Sequence, residues 1–163
     1  MHMDLPKRKK NRLENYDYST AGMYFVTICT YERKNILCDI VGDGSPVPKP
    51  IGNIVQSTTT LIPEKYPAVT VDKYVIMPNH IHLLISIFDS GTGNPSPTVG
   101  TVIAWYKYAI TKEANSLFGS AGKKIFQRSY HDHIVRDETD YAEIWDYIEN
   151  NPQKWVLDRY YAE

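Results

Sequence analysis

Two histidines one residue apart, His80 and His82, are the side chains of this sequence best suited to chemistry. They open the run His80–Phe88, which is apolar, rich in isoleucine and of strand length. Alternate side chains of a strand share one face. Both imidazoles therefore project together, while Ile81, Leu83, Ile85 and Ile87 turn to a core. Two imidazoles so placed can hold one divalent ion, or they can simply be a histidine pair at a sheet surface. Position 84 is a leucine, so no third histidine extends the pattern. A metal centre asks for a further ligand, and a catalytic one keeps positions open.

The segment Tyr147-Ile148-Glu149-Asn150-Asn151-Pro152 offers the missing parts. Tyr147 and Asn151 stand four apart in a stretch of helical pattern, so they emerge on one face. An asparagine carbonyl oxygen is a hard, neutral ligand suited to Mg²⁺ or Mn²⁺, and a tyrosine one turn away is a potential nucleophile beside it. Taken without the histidines, the same pair reads as a packing residue and a helix C-cap. Tyr130 is the rival nucleophile, flanked by His131, Asp132 and His133. Its segment reads as extended, with no metal-type ligand one turn on. Tyr141 lies six residues before Tyr147 and points to another helix face.

The elements that must position these groups follow from pattern. Tyr24–Tyr31 reads as a first strand after the turn residue Gly22. Residues 36–41 suit a short strand pairing back on it, and the Gly- and Pro-rich stretch 42–50 suits a loop. Ile51, Ile54, Val55, Thr58, Leu61 and Ile62 share one helical face over residues 51–64, with Pro63 and Pro67 closing the helix. Val69–Met77 and His80–Phe88 are strands around a Pro78-Asn79 bend, and Gly91–Pro97 is a loop. A long helix over Thr98–Leu117 precedes a turn at Gly119–Gly122. Phe126–Arg136 is extended, with Tyr130, Asp132, Ile134 and Arg136 alternating against His131, His133 and Val135. Asp137 caps a last helix over Glu138–Asn150, and Pro152 closes it. The order β(β)αββαβα fits a mostly antiparallel sheet with helices on one face.

Composition narrows the class. The chain has 163 residues and a formal net charge of −1 from 18 Lys+Arg and 19 Asp+Glu. That is one domain's length, enough to bury a core without disulfides or a structural metal. No apolar run approaches the ~18 residues of a membrane span, and no signal-peptide pattern precedes the first strand, so a cytoplasmic protein is expected. Cys29 and Cys38 match no zinc or redox spacing and read as reduced thiols. Residues 1–15 read as a flexible basic arm before a single domain over 16–163. Lys7, Arg8, Lys9, Lys10 and Arg12 in that arm suit either a solvated tail or contacts to phosphates. There are 13 tyrosines, which can pack, stack on bases or act as nucleophiles.

Several spaced motifs, in order, carry a resemblance. They are Tyr16-Asp17-Tyr18-Ser19 with Gly22–Thr30; Val75-Ile76-Met77-Pro78-Asn79-His80-Ile81-His82-Leu83-Leu84-Ile85; Gly100–Tyr108; and Phe126–Arg136 leading to Tyr147–Pro152. Across nearly its whole length the chain resembles the REP-associated tyrosine transposases, relatives of the small single-strand insertion-sequence transposases of the HUH class. The resemblance implies a ferredoxin-like α/β (α+β) sandwich with a central antiparallel sheet and helices packed on it. It implies one Mg²⁺ or Mn²⁺ ion held by His80, His82 and Asn151, with Tyr147 as nucleophile. It implies a single-stranded DNA endonuclease and strand transferase acting on hairpins of REP-like palindromes through a 5′-phosphotyrosine. His131, Asp132 and His133 are candidates for supporting contacts, with Tyr130 beside them. Lys107, Lys112 and Arg128 are candidates for DNA contact beside the basic arm.

Three functions stay open on the sequence: the nuclease and strand transferase, a domesticated hairpin-binding protein that cleaves poorly, and an unrelated metal hydrolase in which the histidines activate water. No membrane partner is expected, and both a monomer and a homodimer are compatible with the sequence.

Overall fold

The computed structural model describes residues 21–89, 93 and 95–163. The basic residues Lys7, Arg8, Lys9, Lys10 and Arg12, and the Tyr16–Ser19 motif, lie outside the described residues.

The central sheet has four strands: β1 (Gly22–Cys29), β4 (Val69–Ile76), β5 (His80–Ile87) and β6 (His131–Ile134). The short strands β2 (Cys38–Ile40) and β3 (Pro46–Pro48) form a separate ribbon. The helices are α1 (Pro50–Lys65), α2 (Val99–Phe118) and α3 (Glu138–Asn150), with a 3₁₀ segment over Pro152–Leu157. Sheet order is β4-β5-β1-β6, antiparallel throughout. This is the ferredoxin-like arrangement expected: two βαβ halves interleave, and the two strands nearest the centre come from different halves.

β5 lies between β4 and β1, and every one of its residues is buried. Its two faces belong to two cores. Ile81, Leu83, Ile85 and Ile87 join Val26, Ile28, Ile54, Ile62, Val102, Ile103 and Tyr106 under α1 and α2. Leu84 joins Cys29, Val75, Met77, Ile144, Ile148, Trp155 and Tyr160 under α3 and the 3₁₀ segment. Each fully buried aliphatic side chain contributes about 1.5–3 kcal/mol, so both faces of β5 are anchored firmly. The expectation of helices on one face is therefore corrected. α3 takes the second face because its apolar stripe, Ile144 and Ile148, has to bury itself against the sheet.

Other boundaries moved for local reasons. Residues 36–41 do not pair back on β1, because β1 already has β5 on one edge and β6 on the other. Cys38–Ile40 instead pairs with Pro46–Pro48, inside the stretch expected to be loop. The two prolines stand at alternate positions, so both can turn their donorless nitrogens to the open side of the ribbon. α1 runs through Pro63 to Lys65. Pro63 has no N–H to donate, but the last turn still closes through Tyr66 N–H to Ile62 O at 2.9 Å. Pro67 does end the helix: the residue before a proline avoids the helical region, and Tyr66 sits at φ −126°, ψ 89°. Only residues 131–134 of the extended stretch 126–136 form a strand, apart from a bridge between Thr30 and Phe126. α2 starts at its Thr98 cap and stops at Gly119, whose φ of 61° suits glycine. Asp137 caps α3 by accepting from Asp140 N–H at 2.8 Å. Among the described residues no helix is long and apolar enough to cross a membrane.

Candidate functional site

The period-2 alternation of β5 places His80 and His82 side by side on the α3 face, with ring centroids 4.6 Å apart. Both are buried, at 0% and 1% exposure. Each uses one ring nitrogen toward the protein. His80 Nδ1 lies 2.8 Å from Asn79 Oδ1, and His82 Nδ1 lies 2.8 Å from Thr27 Oγ1. Asn79 is itself fixed, since its Nδ2 donates to Tyr160 O at 2.7 Å. The amide oxygen of Asn79 can only accept, so His80 Nδ1 carries the proton and Nε2 carries the lone pair. Thr27 reaches His82 because β1 pairs with β5 in the register Thr27↔His82.

The end of α3 brings the second half. Ile144 and Ile148 seat the helix, and the Lys73–Glu149 ion pair with Lys73 over the Trp145 ring at 4.4 Å ties it to β4. Tyr147 then stands edge-on to His82, centroids 5.3 Å apart, and to Phe25, 6.0 Å apart. Its phenol is partly exposed, at 42%, beside buried imidazoles. Asn151 is the C-cap of α3, as its position suggests, and its side chain is also turned inward at 3% exposure, within reach of both His80 and Tyr147. Packing and capping therefore leave both polar side chains beside the histidines.

Three buried side-chain atoms here have no hydrogen-bond partner: His80 Nε2, His82 Nε2 and Asn151 Oδ1. Buried polar atoms are ordinarily satisfied, because an unmet one costs about 1–3 kcal/mol. His80 Nε2 and Asn151 Oδ1 are lone-pair donors, and so is His82 Nε2 in the tautomer whose Nδ1–H donates to Thr27 Oγ1; divalent ions accept all three types. The donor set thus fits a divalent metal ion. A carboxylate missed by sequence reading stands with them. Asp158 Oδ2 is 3.9 Å from His80 Nε2 and accepts from Asn151 Nδ2 at 2.8 Å. The ligand atoms of His80, His82 and Asp158 lie within 4.8 Å of one another.

Electrostatics agree with burial. Desolvation lowers the His80 pKa to about 4, against a partial opposing pull from Asp158 and Asn151. Burial also drives His82 well below the ordinary histidine value, helped by His80 and Arg159. Both rings are therefore neutral at physiological pH. The Tyr147 phenol is pushed up, chiefly by burial, then by Asp158 and Tyr160, with Arg159 and Asn151 drawing it back. A groove of about 370 Å³ runs along this face, lined by Phe25, Thr27, His82, Glu143, Tyr147 and Arg159 among others.

The remaining sequence candidates divide by sheet face. His131 and His133 pair with Thr27 and Phe25, so they share the face of the histidine pair. His133 Nε2 contacts Asp140 Oδ2 at 2.8 Å and so helps hold α3. Asp132 pairs with Val26 and faces the other side, and Tyr130 packs on the α1/α2 core. Lys107 and Lys112 lie on α2, which covers that opposite face. Lys107 Nζ donates to the carbonyls of Gln127 at 2.6 Å and Arg128 at 3.1 Å, and Lys112 Nζ lies 6.0 Å from the Tyr108 ring. Lys107 and Arg128 border a second groove of about 800 Å³. Beyond Asp158, the sequence did not single out Thr27, Asn79 or Arg159. Only the Pro78-Asn79 bend beside the histidines hinted at one of them.

A ferredoxin-like sheet with a buried histidine pair on its inner strand, faced by a tyrosine and an asparagine one helical turn apart, brings together the groups that the family resemblance singles out. Comparison with known proteins agrees. The profile described as transposase, IS200-like, matches residues 18–151. A protein of Haemophilus influenzae without assigned function is 32% identical over 172 residues, spanning 96% of this chain and 94% of its own. A second protein of the same organism, named for the REP-associated tyrosine transposases, is 30% identical over 149 residues, spanning 87% of this chain and 77% of its own. Among solved structures, that of a REP-associated tyrosine transposase bound to a REP hairpin superposes with a TM-score of 0.57 at 20% identity, over 88% of this chain and 74% of that one. The chain belongs to the IS200-like transposase family, in company with the REP-associated tyrosine transposases.

Proposed function

We propose that this protein is a metal-dependent endonuclease and strand transferase for single-stranded DNA bearing hairpins of the REP type, with Tyr147 as nucleophile and His80, His82 and Asn151 as metal ligands. The observation that carries this reading is the set of three unpartnered buried donors within reach of a partly exposed phenol. A hairpin-binding protein with no chemistry would gain nothing from leaving three such atoms unsatisfied. The hairpin as partner rests on the relatives: the matched solved structure is of a protein bound to one.

When bound, the ion supplies Lewis-acid charge that neutralises the non-bridging oxygens of the scissile phosphate. The protein does the rest. Tyr147 Oη attacks phosphorus; a phosphotyrosine ester to the 5′ side forms, the bond to the 3′ oxygen breaks, and that oxygen takes a proton from water and leaves as a hydroxyl. The phenol proton has to go elsewhere. Asp140 in the groove is engaged by His133 and by the Arg136 N–H. Glu143, one turn before Tyr147 and lining the same groove, is open to receive it. Arg159 adds positive charge on the same wall, where a phosphate would lie. The ester conserves the energy of the cleaved linkage, so a 3′-hydroxyl can reverse the step and join strands.

Labelled hairpin DNA with single-stranded flanks, incubated with Mn²⁺ and run on a denaturing gel, tests this. A protein–DNA adduct is expected from wild type and from Tyr130→Phe, and none from Tyr147→Phe. Cleavage without adduct would favour activated water, and binding without cleavage would favour the domesticated binder.

A further inference from the structure

Asp158 lies seven residues beyond the last position matched by the family profile, in the chain that follows α3. Its side chain is 1% exposed. A buried carboxylate is ordinarily paired with a cation or coordinates a metal. Among the described residues its one ion-pair neighbour is His80. Both carboxylate oxygens are held in place: Oδ1 accepts from Tyr160 N–H at 2.8 Å, and Oδ2 accepts from Asn151 Nδ2 at 2.8 Å. Oδ2 keeps a second lone pair, and it lies 3.9 Å from His80 Nε2. Ligands that meet at one ion about 2.1–2.3 Å from each of them are separated by about 3–4.5 Å. The spacing to His80 falls in that range, and the three ligand atoms of His80, His82 and Asp158 lie within 4.8 Å of one another.

We infer that Asp158 is a fourth protein ligand of the metal centre, so that the C-terminal tail, and not only the strand and α3, builds the site. The inference rests on the metal centre proposed above. The carboxylate brings the one formal negative charge to an otherwise neutral donor set. It also fixes the Asn151 amide, because an acceptor at Nδ2 turns Oδ1 toward the histidines. The rest of the tail serves the same end. The Tyr160 ring centroid lies 4.6 Å from that of His80 and the Trp155 ring centroid 6.1 Å, so both pack against the site. Two imidazoles, an amide oxygen and a carboxylate would together hold the ion and leave it able to accept phosphate oxygens.

The test is Mn²⁺ affinity of the full chain without DNA, read by electron paramagnetic resonance of free Mn²⁺. Asp158→Asn keeps an acceptor for Asn151 Nδ2 and removes the charge. A ligand role predicts at least a 30-fold loss of affinity, comparable to the loss in His80→Ala; an orienting role alone predicts a change under threefold, which would overturn the inference. Asp158→Cys supplies an independent reading: a thiolate ligand predicts weaker Mn²⁺ binding, tight Cd²⁺ binding and an ultraviolet sulfur-to-cadmium charge-transfer band above the wild-type background. Absence of the band in folded protein would overturn the inference. The two claims fail separately. Loss in His80→Ala with none in Asp158→Asn removes Asp158 alone, whereas unchanged binding in His80→Ala removes the metal centre itself.

Discussion

At the scale of single residues, the site is made of groups that burial has stripped of alternatives. His80 and His82 each spend Nδ1 on a neighbour and keep Nε2 unpartnered. This has a consequence for stability. In the unfolded chain histidine titrates near ~6.5, while burial holds His80 at about 4 and His82 well below its ordinary value. Between those values the unfolded state binds more protons, so stability is full above the unfolded pKa and is lost as pH falls toward the folded one. Metal-free protein should lose roughly 2 kcal/mol through His80 alone between pH 7 and pH 5, seen as a lower urea midpoint. A His80→Phe variant should lose less, and equal losses in the two proteins would contradict the assignment. Thr27 is predicted to matter through His82. Thr27→Val keeps the shape and removes the hydroxyl, and should weaken Mn²⁺ binding about 10-fold without altering the fold, as loss of an outer hydrogen bond to a ligand does.

Elements decide whether those residues meet. The strand alternation and the four-residue spacing on α3 are local patterns, and both are legible in the sequence: His80 with His82, and Tyr147 with Asn151, fall on the expected faces. Thr27 and Asp158 were not legible. Thr27 faces His82 only through the pairing register of β1 with β5, a long-range property. Asp158 follows a 3₁₀ segment that has no periodicity to read. The β2–β3 ribbon was hidden for a related reason, since two prolines argue against a strand until an open edge is available. Element packing makes its own predictions. At Gly52 an added Cβ would come 1.9 Å from the Leu37 carbonyl oxygen, with backbone rather than a flexible side chain in the way. Gly52→Ala should therefore destabilise the protein by about 1–3 kcal/mol, despite alanine's better helix propensity, by forcing α1 off the Leu37 segment. A calorimetric melt at or above the wild-type temperature would contradict this. Asp137→Ala should cost about 1 kcal/mol through loss of the α3 cap, and with it some of the precision with which Tyr147 meets His82.

For the molecule as a whole, the sheet gives its two faces different work. One buries the larger core under α1 and α2; the other carries the histidine pair, α3 and the tail. The fold class was readable from element order, but the sidedness was not, because nothing local tells α3 which face the other helices have left uncovered. One chain brings Tyr147 to its own His82 and needs no second copy to do so. A mixture of Tyr147→Phe and His80→Ala proteins should therefore form no adduct, since neither chain can complete the other. Recovery of activity on mixing would show that the working site is shared between chains.

In the proposed reaction the Tyr147 oxygen becomes covalently joined to DNA at a site built by the His80–His82 pair. Mass spectrometry of nuclease- and protease-digested reaction mixtures locates that bond directly. A nucleotide remnant is expected on the peptide containing Tyr147, dependent on added Mn²⁺ and absent from His80→Ala. A remnant on Tyr130 or another tyrosine, or a Tyr147 remnant undiminished in His80→Ala, would contradict it.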